Sequence, residues 1–307
     1  MIYDLAIIGG GPAGAAAAVY ASRKRLRTVH ITKDWLGQSY VSDKIENWVG
    51  TPAISGLDLS KSLENHAKFY GKDYIDFRDG ESCTDITKSN DHFSIKTDKA
   101  IYESKTILIA SGSKRKKLDI QGADTYEHKG LTYCATCDGP MYSGQDVVVV
   151  GGGNAAFESA AQLLAYCKSV TLLNRSDTFR ADPGTVEKVL SNPHMKAIKF
   201  AVPKQILGDK FVNAIIYTDT SLNKDITLSV SAIFAEIGST PNTDFAKNII
   251  ELDPIGRIKI NTRDQKTSNP NIWAAGDCTD ALYHQNNIAA GDAVKALEDI
   301  YIHIKAK

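Results

Sequence analysis

Two stretches of the chain carry the same succession of apolar and polar positions. Residues 4–32 begin with an apolar run, Leu5-Ala6-Ile7-Ile8, pass through three glycines into an alanine-rich segment, and end on a short run containing Val29 and Ile31. Residues 146–175 repeat this with Val147-Val148-Val149-Val150, three glycines, an Ala- and Leu-rich segment and Val170-Thr171-Leu172-Leu173. A continuous apolar run bounded by glycine predicts a buried strand, and the alanine-rich segment behind it predicts a helix packed close to that strand. Gly9 and Gly151 are 142 residues apart (151 − 9), too long a period for a solenoid. Two βαβ units in one chain are expected instead.

The remaining apolar pattern is arranged around this repeat. Residues 93–96, 101–110, 211–218 and 227–237 have the β-branched and aromatic content of strands. A further strand, Asn271-Ile272-Trp273-Ala274-Ala275, runs into Gly276-Asp277. Residues 286–304 then form a helical pattern with Ile288, Ala293, Leu297, Ile300 and Ile304 on one face. This tail is expected to return to the first domain.

Each glycine turn has the spacing of a dinucleotide fingerprint. Gly9 or Gly151 permits the tight turn, Gly11 or Gly153 lets backbone approach a pyrophosphate, and Gly14 or Ala156 lets the helix lie against the strand. The helix start then faces the anion with free N–H groups and the positive end of its dipole. One such turn is weak evidence, because plain structural turns share it. Two in the correct context make nucleotide binding the expectation.

Length and composition add bounds. The 307 residues suit about two domains at roughly 150 residues each. Thirty-six basic and 36 acidic side chains cancel, so no global field recruits nucleic acid or an anionic membrane. The start of the chain lacks a basic segment and does not read as a signal peptide, and no window has the roughly 18 to 20 apolar residues of a membrane span. Five cysteines, Cys83, Cys134, Cys137, Cys167 and Cys278, are not a secreted disulfide framework. A reducing, cytoplasmic setting follows as the default, in which the close pair Cys134 and Cys137 points to metal binding or redox work. Tetrahedral zinc would need two more close ligands, and the other cysteines and seven histidines show no second paired spacing; no metal site is expected.

The order Gly9 to Gly14, Gly37-Gln38, Glu46-Asn47-Trp48, Cys134-Ala135-Thr136-Cys137-Asp138-Gly139, Gly151 to Gly153 and Ala275-Gly276-Asp277 resembles the low-molecular-weight thioredoxin reductases of bacteria and archaea. The resemblance covers essentially the whole chain. The segments Cys137 to Pro140 and Ala274 to Cys278, with the last helix, are also similar to the core of the alkyl hydroperoxide reductase flavoprotein, whose extra N-terminal disulfide domain is not expected here because the first strand begins at Ile2.

The resemblance implies an α/β fold of two Rossmann-like, three-layer ββα dinucleotide-binding domains, the second inserted into the first. An FAD domain would span 1–114 and 242–307, and an NAD(P)H domain carrying the redox pair 115–241, with connections near 113–117 and 238–243 as hinges. It further implies a homodimer that passes electrons from NADPH through FAD and the Cys134–Cys137 disulfide to thioredoxin or a similar small dithiol protein. Cys137 would be the flavin-side sulfur, Cys134 the one that attacks the partner, and Asp138 the proton carrier. Gly9, Gly11, Pro12, Ala13 and Gly14 would line the FAD pyrophosphate, with Gly37, Gln38, Asn47, Ala110, Gly112, Gly276, Asp277 and Gln285 elsewhere around FAD. Gly151, Gly153, Asn154, Ala155 and Ala156 would receive the second nucleotide, with Glu158 nearby. Asp34 is a candidate for the FAD ribose.

NADPH-specific members carry a His-Arg-Arg run with a further Arg for the 2′-phosphate. Here the matching positions are Asn174, Arg175, Ser176 and Arg180, with no acid at the strand tip of the kind that selects NADH. Rival readings keep the disulfide chemistry but take NADH or a protein such as ferredoxin as donor, or a peroxiredoxin- or glutaredoxin-like acceptor. A non-catalytic nucleotide sensor is the rival from another class.

Overall fold

The apolar runs form the central strands of two parallel sheets. The computed structural model describes residues 1–42 and 44–306. It divides into one unit of Met1–Arg115 with Ser239–Lys307 and a second of Lys116–Gly238.

In the first unit, β1 (Ile2–Ile8), α1 (Pro12–Arg23) and β2 (Thr28–Thr32) are followed by α2 (Gly56–Gly71), β3 (Ile75–Asp79), β4 (Cys83–Ser89), β5 (His92–Thr97), β6 (Ile101–Ile109) and β7 (Ser113–Arg115). The second unit holds α3 (Ala123–Tyr126), β8 (Leu131–Thr132), α4 (Ala135–Asp138), β9 (Asp146–Val150), α5 (Asn154–Leu163), β10 (Ser169–Leu173), α6 (Pro183–Leu190), β11 (Met195–Ile198), β12 (Ala201–Gly208), β13 (Val212–Asp219), β14 (Lys224–Ser229) and β15 (Ala232–Ala235). The chain returns to the first unit with β16 (Ser239–Pro241), β17 (Ile272–Ala274) and α7 (Asn286–Lys305). Antiparallel pairing of β7 with β16 joins the outgoing and returning strands within the first unit.

The sheet order is β3-β2-β1-β6 in parallel, extended antiparallel through β5 and β4, with β17 parallel to the second half of β6. One core packs α1 and α7 on Leu5, Ile7, Leu108 and Trp273. A second, on the opposite face, joins Ala6, Ile8, Ile107 and Ile109 to Phe93 and Ile95 of the β-meander. The second unit repeats the scheme: a parallel β11-β10-β9-β15-β8 sheet carries α5 and α6 on one face and the antiparallel β12-β13-β14 sheet on the other. Strands covered on both faces bury every side chain, which is why Val147 to Val150 alternate with no polar residue. The fold is thus α/β with two Rossmann-like, three-layer units. Among the described residues no helix is long and apolar enough to cross a membrane.

One predicted strand divides in two. Residues 227–237 contain the end of β14 and all of β15 because the Val230 N–H bonds to Asn213 C=O (3.1 Å) and the Ser231 N–H to Asp146 C=O (2.9 Å), which carries the chain from the antiparallel sheet to the parallel one.

Helix α1 lies on β1 as closely as backbone permits. A Cβ on Gly14 would lie 1.8 Å from Gly9 C=O, and one on Gly9, at φ +119°, 2.2 Å from Ala110 C=O. No side chain movement relieves a backbone clash. Gly14→Ala is therefore expected to cost more than about 3 kcal/mol of stability, read as a lowered denaturant midpoint; an unchanged midpoint would refute the contact.

Behind this contact His30 is fully buried on β2. Its ring stacks on Trp35 with centroids 4.6 Å apart and planes 8° apart, and Phe77 tilts against both. Neither ring nitrogen is hydrogen-bonded. Burial drives its pKa down from 6.5 to about 4, against a weaker opposing pull from Asp79. The folded protein thus holds His30 neutral. Its contribution is fully present above pH 6.5 and is lost as pH falls toward 4. Between pH 6.5 and 5 this should remove about 2 kcal/mol of unfolding free energy, and His30→Leu should flatten that part of the pH dependence. Equal slopes for the two proteins in denaturant titrations would contradict it.

Candidate functional site

Two bare backbone cradles and one disulfide make up the candidate site, and each lies within a single unit. In the first unit the strand ends of β1, β2 and β6 meet at Gly9, whose N–H bonds to Ile31 C=O at 2.9 Å, while the Ala110 N–H bonds to Ile8 C=O at 2.8 Å. The α1 start follows, with Gly11 at its N-cap, Pro12 at the first position, no capping side chain and no acid in the first turn. A Cβ on Gly11 would meet nothing within 4 Å. The space before the helix start is open, and backbone N–H groups with a positive dipole end face it.

Side chains from distant segments close around this opening. Gly37 has Gly11 Cα and Pro12 Cδ as its nearest neighbours, at 3.6 and 3.8 Å from the Cβ it lacks. Gln38 Nε2 donates to Asp277 Oδ2 (2.7 Å) and Ser113 Oγ (3.2 Å), while its buried Oε1 has no partner. Asn47 Nδ2 donates to Gln285 Oε1 at 3.4 Å, and Asn287 Nδ2 to Asn47 C=O at 2.7 Å. Gly276, at φ +78°, leaves room for only the methyls of Ala13 and Ala289, so α1 and α7 converge beside Asp277. Gln285 occupies the N-cap of α7. Gly112 accepts from the Asn242 N–H at 3.0 Å. Every residue expected around the first nucleotide therefore lies in this unit. Gly37, Gln38, Gly276 and Asp277 sit directly at the Gly11 opening. Asn47 and Gln285 meet at the start of α7. Asp34 is exposed, and its carboxylate accepts from the Leu36 N–H at 3.1 Å. Ser113 is the partner that sequence reasoning missed; no motif surrounds it.

The second cradle has the same backbone and different walls. Gly153 at the N-cap of α5 is open, with no capping side chain and no acid in the first turn, and Ala156 is fully buried against the strand. Asn154 Oδ1 accepts from the Asp182 N–H (2.8 Å), and Arg180 N–H donates to Gly152 C=O (2.7 Å), so the loop after β10 folds over the turn. Asn174 holds that loop. It is buried, a Cβ on Gly152 would strike its Oδ1 at 2.1 Å, and its Nδ2 donates to Ser176 C=O and Thr178 C=O, both at 2.9 Å. Ala155, Glu158, Arg175 and Arg180 are exposed.

The close cysteine pair is a disulfide between Cys134 and Cys137, half-buried beyond the end of β8. The structure starts α4 between the two cysteines and limits it to one turn, because a 3-10 turn over Gly139–Tyr142 follows at Pro140. Cys137 N–H donates to Cys134 Sγ at 3.2 Å, and Asp138 N–H to Cys134 C=O at 3.1 Å. Thr132 Oγ1 donates to Asp138 Oδ2 and accepts from the Cys134 N–H at 3.3 Å. Thr132 also escaped sequence reasoning, since a threonine ending a strand carries no signal. Tyr142 is pushed up, by burial first and by the Asp138 charge second. Burial raises the other thiols too: Cys83 to about 12, Cys167 and Cys278 to about 11. Among the described residues no group of three or more His, Cys, Asp or Glu side chains could hold a metal ion.

Residues 3–294 match the profile of the pyridine nucleotide-disulphide oxidoreductases. The chain is 33% identical to the solved thioredoxin reductase from Giardia duodenalis, with a TM-score of 0.92 over 99% of both chains. It is 30% identical to that from Streptococcus pyogenes MGAS5005, with a TM-score of 0.88 over 100% of this chain and 99% of that one. Among curated proteins it is 35% identical to an alkyl hydroperoxide reductase subunit of Pseudomonas putida over 98% of this chain and 58% of that one. Identity with NADH dehydrogenase of Bacillus subtilis is 34%, over 96% of this chain and 57% of the relative. The chain thus spans less than two thirds of the length of these two curated relatives.

Proposed function

The chain belongs to the pyridine nucleotide-disulphide oxidoreductase family, and from that premise we propose that it is a disulfide reductase of the thioredoxin reductase kind, using FAD, NADPH and the Cys134–Cys137 pair. The observation that carries the reading is the disulfide itself, joined to an acid at Asp138 and set in the unit that also holds the second open cradle.

The first cradle fits FAD. Its Gly11 opening has room for a pyrophosphate, the first turn of α1 carries no acid to oppose one, and the unpartnered Gln38 Oε1 offers an acceptor to a ligand donor. Gly9 to Gly14 would hold the diphosphate, with Gln38, Asn47, Asp277 and Gln285 holding the rest. When bound, FAD supplies the two-electron relay between a pyridine nucleotide and a disulfide, which no side chain here can provide. At the second cradle Gly151, Gly153 and Asn154 to Ala156 receive the nucleotide diphosphate, and Arg175 and Arg180 its 2′-phosphate.

The pair's own chemistry follows from its hydrogen bonds. Reduction breaks the S–S bond with two electrons and calls for two protons. Asp138, one oxygen tied to Thr132, carries one of them. The Cys137 N–H aimed at Cys134 Sγ stabilises a thiolate there, which makes Cys134 the attacking sulfur. Its thiolate attacks one sulfur of the partner disulfide and expels the other, forming a mixed disulfide. Cys137 then attacks Cys134 Sγ, releases the partner as a dithiol and restores the internal bond. Two electrons and two protons have moved to the partner.

A peroxiredoxin- or glutaredoxin-like acceptor is the second reading, favoured by the 35% identity to an alkyl hydroperoxide reductase subunit.

Anaerobic NADPH, but not NADH, should bleach the flavin of the loaded protein and support reduction of thioredoxin. Cys137→Ser should abolish that reduction and leave the bleaching intact. No bleaching by either nucleotide, with dithionite still effective, would refute the donor assignment. Thioredoxin reduction by the serine variant would refute the disulfide route. Asp138→Asn should lower turnover about 100-fold, within the range of a lost general acid, with nucleotide affinity retained; equal turnover would remove Asp138 from the proton path.

A further inference from the structure

The second cradle gathers a third cation that its motif does not contain. Strand β11 ends at Ile198, paired with Leu173, and the residues after it stay bonded to the loop that leaves β10. Asn174 N–H donates to Ile198 C=O (2.9 Å), Phe200 N–H to Ser176 C=O (3.3 Å) and Ala201 N–H to Asn174 C=O (2.9 Å). These bonds fix Lys199 beside the segment that carries Arg175. Its Nζ lies 5.3 Å from the centre of the Phe179 ring, the residue before Arg180, and Phe179 packs edge-on against Phe157 of α5 at 5.0 Å. The contact is a cation–π interaction, which holds an exposed ammonium near one place without neutralising it.

Among the described residues none of Arg175, Arg180 and Lys199 forms an ion pair; the exposed Asp177 of the same loop pairs with none of them. Three uncompensated cations therefore border the C-terminal edge of the parallel sheet, where a Rossmann-like unit takes its ligand. Ser176 stands where NADPH-specific relatives are expected to place an arginine. Lys199, one residue past the end of β11, adds a positive charge beside the same loop through its contact with Phe179.

We propose that Lys199 is a specificity-determining residue, the third cation on the 2′-phosphate of NADPH. The inference rests on assignment of the second cradle to that nucleotide. A 2′-phosphate carries close to two negative charges, and each charge-assisted contact to it strengthens NADPH binding without touching NADH, which lacks the group.

Calorimetric titration of the flavin-loaded full chain with NADP⁺ and with NAD⁺ tests this. Lys199→Met, which keeps an unbranched stem over Phe179, should weaken NADP⁺ about tenfold while NAD⁺ affinity holds, and Lys199→Arg should retain NADP⁺ affinity. Unchanged NADP⁺ affinity in Lys199→Met, with Arg175→Ala still weakening it, would overturn the role of Lys199 and leave the NADPH reading standing. Equal weakening of both nucleotides would also overturn it, since the loss would then be structural. If the unaltered protein binds NADP⁺ no more tightly than NAD⁺, the NADPH reading falls and this inference with it.

Discussion

The contact between Gly14 and Gly9, with no room for a Cβ, is the constraint from which the first unit is built. It brings the start of α1 to the ends of β1 and β6, so that the helix dipole ends where the parallel sheet changes direction. It strips side chains from the turn, so that only backbone N–H groups face the opening. It also forces small residues on everything that follows: Ala13 must leave space for Gly276 and Ala289 before α7 can close the unit. The second unit meets the same constraint with Ala156, whose methyl stands 3.0 Å from where a Cβ on Gly151 would lie.

From the same backbone the two units build walls of different kinds. Around the first opening the walls are amide and carboxylate contacts between segments more than 230 residues apart, Gln38 with Asp277 and Asn47 with Gln285. Such contacts cross-link the discontinuous parts of the unit, and a ligand seated among them is held from several sides. Around the second opening the wall is one loop fastened to itself by buried Asn174 and fringed by exposed cations. Exposed charges attract an anion and still let it leave, which suits a nucleotide that must exchange at every turnover.

Local pattern made the α/β class and both fingerprint turns readable, because strand, glycine turn and helix are neighbours in sequence and their packing rule is local. The last helix was equally plain from Ala293, Leu297 and Ile300. The boundary between β14 and β15 was not, since it depends on bonds from Val230 and Ser231 to distant strands rather than on a change of residue type. The one-turn helix inside the cysteine pair was not readable for a similar reason: Cys134 serves as its N-cap, a role that sulfur seldom signals. Ser113, Thr132 and Lys199 were invisible because each acts through a partner placed by the fold. Residue identity announces a glycine cradle, but not which hydroxyl or ammonium will come to lie beside it.

The distribution of the five thiols shows how burial directs redox chemistry. Cys278 lies beside Asp277 at the first opening, yet it is fully buried, its thiol donates to Ile109 and Ala275 carbonyls, and its pKa is pushed to about 11. A thiol held protonated in this way is a poor nucleophile. Cys83 and Cys167 are silenced by the same desolvation. Exposure does not single out Cys134 and Cys137, since Cys83 is half-buried as well; what they alone have is each other as a disulfide partner, a backbone N–H and a neighbouring acid. Selectivity among the cysteines therefore needs no special group at the three silent ones. Ordinary core packing keeps them inert, and the single turn of helix at Ala135–Asp138 supplies what the active pair requires.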